Sequence, residues 1–126
     1  MRTALPIIAA LALTACSTLP AAPPPRTDAH ARLGEATRVG TLVVMPRAVI
    51  EDSRCPINAR CVWAGRLVVQ ALVRGQGWAE TRNLMLGQPA AMHGTTIALT
   101  SAEPGKMAGV SPLPAVPMTF GFEGGR

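Results

Sequence analysis

Apolar and polar residues alternate in several short stretches of the chain, which is the pattern of strands that bury one face. The strongest such stretch covers residues 61–74. Its alternate positions, which would share the buried face, are Trp63, Gly65, Leu67, Val69, Ala71 and Val73. A helix competes for the same stretch, but Gly65 and the β-branched residues favour a strand.

Further strands are predicted on both sides of this stretch. They cover residues 41–50, 78–86, 95–100 and 118–122. Pro46 predicts an interruption or a bulge in the first of them, and 75–77 (Gly-Gln-Gly) predicts a tight hairpin turn before the second. Polar and proline-rich loops are expected at 51–60 and 101–117. Short strands with turns between them indicate an all-β fold, a small antiparallel sandwich or barrel-like domain.

The first fifteen residues have the layout of a secretory signal peptide. Arg2 supplies a positive start, 5–13 (LPIIAALAL) is an apolar run, and the small residues Thr14 and Ala15 follow. The apolar run is too short to span a bilayer as a stable anchor. We therefore expect residues 1–15 to be removed on export.

Residues 13–16 (Leu-Thr-Ala-Cys) resemble the lipobox of bacterial lipoproteins. In that family the cysteine thiol receives a diacylglyceryl group, and the peptidase then cleaves just before the cysteine. The resemblance implies that Cys16 begins the mature protein and that its acyl chains hold the protein on a membrane. Ser17 stands where aspartate signals retention in the inner membrane, so the resemblance implies the outer membrane, facing the periplasm.

The mature chain is expected to have two parts. Residues 16–32 are rich in proline, alanine, serine and threonine, with three consecutive prolines at 23–25, and this composition predicts a lipid-anchored flexible linker. Residues 33–126 are expected to form a single β domain. The complete chain holds two tryptophans, two phenylalanines and no tyrosine, so the core must be mainly aliphatic.

The charge pattern argues against a nucleic-acid partner. Twelve cationic residues face seven acidic ones, and eleven of the twelve are arginines spread singly along the chain. A nucleic-acid site usually gathers its cations on one face, often with aromatic residues among them. We expect a solvated basic surface instead.

The most distinctive motif lies at the centre of the chain. Residues 52–56 (Asp-Ser-Arg-Cys-Pro) are followed by a four-residue spacer and then by 61–65 (Cys-Val-Trp-Ala-Gly). This motif resembles one carried by a group of small bacterial exported proteins and lipoproteins, D-S-R-C-P-x4-C-x-W-A-G. The resemblance implies an exported protein of the cell envelope and implies no activity.

These residues also have a physical interpretation as a structural corner. With Cys16 lipidated, Cys55 and Cys61 remain as a pair, and an oxidising compartment favours a disulfide between them. The bridge would close a seven-residue loop, stiffened by Pro56, and stabilise the fold by about 2 kcal/mol. Asp52 and Ser53 are expected to cap turn N–H groups, and Arg54 is expected to pair with Asp52 or Glu51. Trp63 is expected to enter the core. Gly65, beside Ala64, is expected to leave room for a ring or another backbone segment.

The sequence is compatible with three functional classes. A small hydrolase could use Ser53, His93 and Asp52, but the adjacency of Asp52 and Ser53 suits a turn better than a triad. A periplasmic copper-binding protein could use thioether and imidazole ligands from Met45, Met85, Met92, Met107, Met118, His30 and His93, although only Met92 and His93 are adjacent. A non-catalytic binding or structural module, with an envelope protein or glycan as partner, is the expectation, without catalytic residues, metal or other cofactor.

Overall fold

Eight strands form the part of the chain that the computed structural model describes, residues 15–106 and 117–126. They are β1 (His30–Arg32), β2 (Thr37–Val39), β3 (Leu42–Asp52), β4 (Leu67–Gly75), β5 (Trp78–Met85), β6 (Ala90–Met92), β7 (Thr95–Glu103) and β8 (Thr119–Gly124). The predicted all-β sandwich is confirmed. Residues 1–14 of the expected signal peptide and most of the expected 101–117 loop lie outside the described residues.

Two antiparallel sheets of four strands pack face to face. The first sheet has the order β2-β3-β4-β5, so its neighbours are consecutive in the chain, and the second has the order β1-β8-β7-β6. The chain passes from the second sheet to the first between β1 and β2, and it returns between β5 and β6. The edge strands β5 of the first sheet and β6 of the second are consecutive in the chain.

The core is aliphatic with two phenylalanines, as the composition predicted. Alternation along β4 places Leu67, Val69, Ala71 and Val73 inside with no exposed surface. The other buried apolar residues packed with them are Val39, Leu42, Val44, Leu84, Met92, Ile97, Leu99, Ala102, Phe120 and Phe122. These side chains come from both sheets, so they hold the two layers together.

The predicted hairpin and the predicted bulge are both present. β4 and β5 pair from Val68–Met85 to Gly75–Trp78 around the turn at 76–77. The pairing of β3 with β4 shifts register between Pro46 and Ala48. Pro46 lies beyond the end of β2, and its carbonyl accepts a hydrogen bond from the N–H of Gly34. In an antiparallel strand the N–H and the carbonyl of one residue point to the same side, which for Pro46 is the side of Gly34. The N–H that proline lacks would therefore point away from β4, and no hydrogen bond to β4 is lost.

The ordered domain begins earlier than the expected boundary at residue 33. The backbone of Arg26 forms a bridge with Thr37, and β1 pairs with β8 with Ala31 fully buried. Ala22, Pro23 and Pro25 line a shallow cleft together with Met45 and Leu72 on the outer face of the first sheet. The prediction of a flexible linker to residue 32 was wrong for 26–32, because a three-residue strand leaves no recognisable pattern in sequence.

The strand predicted from residue 61 begins at Leu67 instead. Residues 61–66 form an irregular, exposed segment, and Trp63 lies on the surface and not in the core. Gly65 has φ = 69°, which is incompatible with strand geometry. The apolar residues at 61–64 therefore extended the apparent alternation upstream of Leu67, where β4 begins.

Within the described residues, no helix is long and apolar enough to cross a membrane.

Candidate functional site

The end of β3 and the residues after it form a corner held by an ion pair. Arg54 Nε donates to Asp52 Oδ1 at 2.8 Å and Nη2 donates to Oδ2 at 3.0 Å, a two-point contact. The two side chains are mostly buried, with 16% and 22% of their surface exposed. The Arg54 guanidinium lowers the pKa of Asp52, and the carboxylate in turn raises the pKa of Arg54. Arg54 Nη1 also donates to the carbonyl of Ala102, which ties the corner to β7 of the opposite sheet.

Ser53 closes the corner by bonding the backbone of Arg66 in both directions. Its Oγ accepts from the N–H of Arg66 at 3.0 Å and donates to the carbonyl of Arg66 at 3.2 Å. The backbone N–H of Ser53 donates to the same carbonyl at 2.8 Å. A Cβ at Gly65 would collide with the carbonyl oxygen of Ser53, so only glycine permits this approach. The prediction that Gly65 leaves room for another group is confirmed.

Residues 53–66 form a loop that contains the disulfide, the disulfide loop. Cys55 and Cys61 are bonded, with their Cα atoms 5.8 Å apart, which confirms the predicted pairing. The loop is also fastened at its base by Cys55 N–H to the carbonyl of Ala64 and by Ile57 N–H to the carbonyl of Lys106. Lys106 Nζ donates to the carbonyl of Asp52 at 3.0 Å. The loop is thus constrained by covalent and backbone contacts, and Asp52, Ser53, Arg54 and Gly65 form its structural frame.

The tip of the disulfide loop presents apolar side chains to solvent. Every residue from 57 to 66 is exposed. The exposed fractions of Ile57, Val62 and Trp63 are 75%, 92% and 82%. Single exposed apolar residues are normal on protein surfaces, but three large ones within seven positions are not. The expectation that Trp63 packs in the core was wrong, and its exposure makes the tip the best candidate for a binding surface.

The disulfide loop carries positive charge and no acidic residue. Its cations are Arg54, Arg60 and Arg66, and it has no aspartate or glutamate between residues 53 and 66. Arg54 pairs with Asp52, and Arg66 pairs with Glu51. Arg60 takes part in none of the ion pairs formed by the described residues. The unneutralised cation of the loop therefore lies between the exposed side chains of Ile57 and Val62 in the chain.

The residues of the alternative hydrolase site have other partners. Asp52 is paired with Arg54, and the Ser53 hydroxyl is bonded to the backbone of Arg66. His93 lies in the β6–β7 turn, where its Nε2 donates to Glu80 at 2.9 Å and its ring stacks on Trp78. Asp52 and Ser53 therefore belong to the corner, whereas His93 contacts Glu80 and Trp78 of β5.

The residues of the alternative copper site lie on different elements. Met92 is buried in the core, Met118 packs against the core, and Met45 lines the cleft beside the proline segment. His30 is on β1, where its Nδ1 lies 2.7 Å from the carbonyl of Asp28, and Met85 ends β5. Met107 lies outside the described residues. Among the described residues, no group of three or more histidine, cysteine, aspartate or glutamate side chains could hold a metal ion.

Sequence reasoning missed three residues of the exposed tip. Ile57, Arg60 and Val62 were treated as spacer or strand residues, although the short spacing between two cysteines already implied a tight exposed loop. It also missed Lys106, whose contacts join positions about fifty residues apart in the chain. No local pattern signals such a distant contact.

Neither a protein-family model, a curated protein nor a solved structure matches this chain.

Proposed function

We propose that the chain is a bacterial lipoprotein of the cell envelope, anchored by acyl chains on Cys16 and facing the periplasm from the outer membrane. One observation carries the proposal: Cys16 is exposed and outside the disulfide, upstream of the first ordered bridge at Arg26. A thiol in that position is open to a modifying enzyme. The lipobox-like residues before it supply the recognition sequence.

The β domain acts as a non-catalytic binding or structural module in this proposal. The polar side chains of the central motif are engaged in holding the disulfide loop, whereas the large apolar side chains of that loop are mostly exposed. The polar side chains of the frame hold the loop in one conformation, and the apolar tip stays exposed. A preorganised, exposed apolar tip is suited to recognition of a partner. An envelope protein, a glycan and the membrane itself are the candidate partners.

Metabolic labelling with a palmitate analogue tests the anchor. The wild-type protein should become labelled, and its mass should correspond to residues 16–126 with acyl chains attached. Inhibition of the lipoprotein signal peptidase should leave the uncleaved precursor, and Cys16→Ser should carry no label. The matched control is Ser17→Ala, which keeps the thiol and should be labelled normally. An unlabelled wild-type protein, or a labelled Cys16→Ser protein, would overturn the proposal.

A further inference from the structure

We infer that the disulfide loop is a lipid-contacting surface: Ile57, Val62 and Trp63 enter the headgroup region of an anionic bilayer, and Arg60 contacts lipid phosphates. The inference rests on the proposed membrane anchorage and adds a second, non-covalent contact with the same membrane. It concerns side chains that take no part in the ion pair and hydrogen bonds of the corner.

The shape of the loop favours a bilayer over a protein pocket. Ile57 lies two residues after Cys55, and Trp63 lies two residues after Cys61, so all three apolar residues belong to one rigid tip. Their high exposure means that the tip protrudes and is not part of a flat patch or a groove. A bilayer can deform around a protruding tip without a matching cavity, and tryptophan prefers the boundary between headgroups and acyl chains.

The charge of the loop complements an anionic membrane surface. Residues 53–66 contain three arginines and no acidic residue, and Arg60 has no ion-pair partner among the described residues. Arginine stems can lie along apolar surface while the guanidinium bonds phosphate oxygens. The apolar side chains of the tip therefore suit the acyl-chain boundary of a bilayer, and the adjacent Arg60 guanidinium suits the phosphates of the headgroup layer.

The anchor and the loop can reach the same bilayer. From Ala22 onward the proline segment lies beside the outer face of the first sheet, where it lines a cleft together with Met45. The six residues from Cys16 to residue 21 can extend about 20 Å. The seven steps along β3 from Met45 to Asp52 cover about 23 Å. These lengths are comparable, so a tether that runs alongside β3 places the lipid near the level of the loop.

The two tryptophans of the chain provide an internal test of orientation. Trp63 precedes the start of β4, and Trp78 pairs with Gly75 at its opposite end. Nine residues of strand separate the two ends by about 27 Å. If the disulfide loop enters the bilayer, Trp63 lies in lipid while Trp78 remains in water or against the protein.

The experiment uses the full chain carrying Cys16→Ser, so that no acyl chain contributes to binding. It is mixed with phosphatidylethanolamine/phosphatidylglycerol vesicles whose acyl chains are brominated. In the Trp78→Phe background, Trp63 emission should shift to the blue and fall several-fold. In the Trp63→Phe background, Trp78 emission should be unchanged. Unaltered Trp63 emission would overturn the inference and would leave a protein or glycan as the partner of the loop.

Binding variants separate the apolar and ionic contributions. Trp63→Ala should weaken vesicle binding at least about tenfold, the loss expected when one large apolar side chain no longer enters lipid. Arg60→Gln should weaken it about fivefold, and only when phosphatidylglycerol is present. The control is Leu33→Ala, which removes an exposed apolar side chain outside the loop and should bind normally. Equal binding of Trp63→Ala and Leu33→Ala would contradict the inference.

The result is independent of the anchor test. Absence of lipid on Cys16 would appear in the mass of the wild-type protein, whereas failure of the loop to insert would appear in the quenching of the unacylated variant. The two failures are therefore distinguishable.

Discussion

The imidazole of His93 stacks on the indole of Trp78, with ring centroids 4.1 Å apart and an angle of 19° between the planes. His93 Nε2 also donates to Glu80, whose other oxygen accepts from Arg82. Trp78, Glu80 and Arg82 are on β5 of the first sheet, and His93 is in the β6–β7 turn of the second. These four side chains join β5 of the first sheet to the β6–β7 turn of the second.

The stack should contribute measurably to stability. His93→Asn removes the ring but keeps a residue that tolerates the positive φ of 47°. We expect this variant to lose about 0.5–1.5 kcal/mol of unfolding free energy, the usual contribution of an aromatic pair. Urea unfolding of Trp78→Leu, His93→Asn and the double variant would give the coupling energy directly. Trp78→Phe keeps a ring and is the control, and a coupling near zero would contradict the expected contribution.

The Asp52–Arg54 pair predicts a dependence of stability on pH. Arg54 lowers the pKa of Asp52 in the folded protein, so the folded state favours the ionised carboxylate. The resulting stabilisation is fully present above the unfolded-state pKa of about 3.9 and is lost as pH falls through the lower folded-state pKa. Asp52→Asn should therefore destabilise the protein at pH 7 by about 2 kcal/mol and have less effect near pH 2.

The measurement is urea unfolding of wild type and Asp52→Asn at the two pH values. Asp28→Asn is the matched control, because Asp28 pairs with Arg26 at 2.6 Å on the surface, with 48% and 50% of the side chains exposed. Solvent screens an exposed pair of this kind, so Asp28→Asn should destabilise the protein less than Asp52→Asn does. Equal losses for the two variants at pH 7 would be inconsistent with the buried geometry of the corner.

Sequence patterns predicted the parts of this fold that depend on local alternation. The β4–β5 hairpin follows from Gly75 and Gly77 between two alternating stretches, and the bulge follows from Pro46. The disulfide was predicted from the cysteine count together with the expected export and the expected lipidation of Cys16, which left Cys55 and Cys61 as the pair. For the hairpin and the bulge, the residues next to each feature were sufficient.

Other features depend on distant contacts that no local pattern encodes. Trp63 looked like a core residue because apolar letters continue upstream of β4, yet the loop frame at Gly65 turns that segment out to solvent. Ala31 is buried only because β1 pairs with β8, about ninety residues later. The stack of His93 on Trp78 joins two sheets, and the sequence offered only a histidine–glycine turn. The motif was thus sufficient to locate the candidate site, but the sequence did not predict that Ile57, Val62 and Trp63 are exposed there.

The close approach of Gly65 to Ser53 predicts a strongly position-dependent effect of alanine. Gly65→Ala combines an unfavourable positive φ with a collision against the carbonyl of Ser53, and we expect a loss of at least about 2 kcal/mol. Gly77 has a similar φ of 77° but open space around its Cα. Gly77→Ala should therefore show only the conformational cost, about 1 kcal/mol. Similar thermal midpoints for the two variants would contradict the steric part of this account.

The disulfide should stabilise the protein chiefly by restricting the unfolded chain. Replacing both cysteines (Cys55→Ser with Cys61→Ser) reopens a loop of sequence separation six, which corresponds to about 2 kcal/mol of chain entropy. The Ser53–Arg66 and Ile57–Lys106 hydrogen bonds remain available, so the corner should still form in the folded state. Because the buried core is untouched, we expect a lower unfolding midpoint in urea with an unchanged far-ultraviolet circular dichroism spectrum.

Mass spectrometry of the non-reduced wild-type protein provides the direct check of the bond. A peptide that contains Cys55 and Cys61 should be lighter by two hydrogens than after reduction, and alkylation before reduction should not label it. Cys16→Ser is the control, because it removes the one cysteine outside the bridge and should leave the mass difference unchanged. Two thiols that alkylate without reductant would instead mean that the loop is held by its backbone hydrogen bonds alone, and the double-serine variant should then be as stable as wild type.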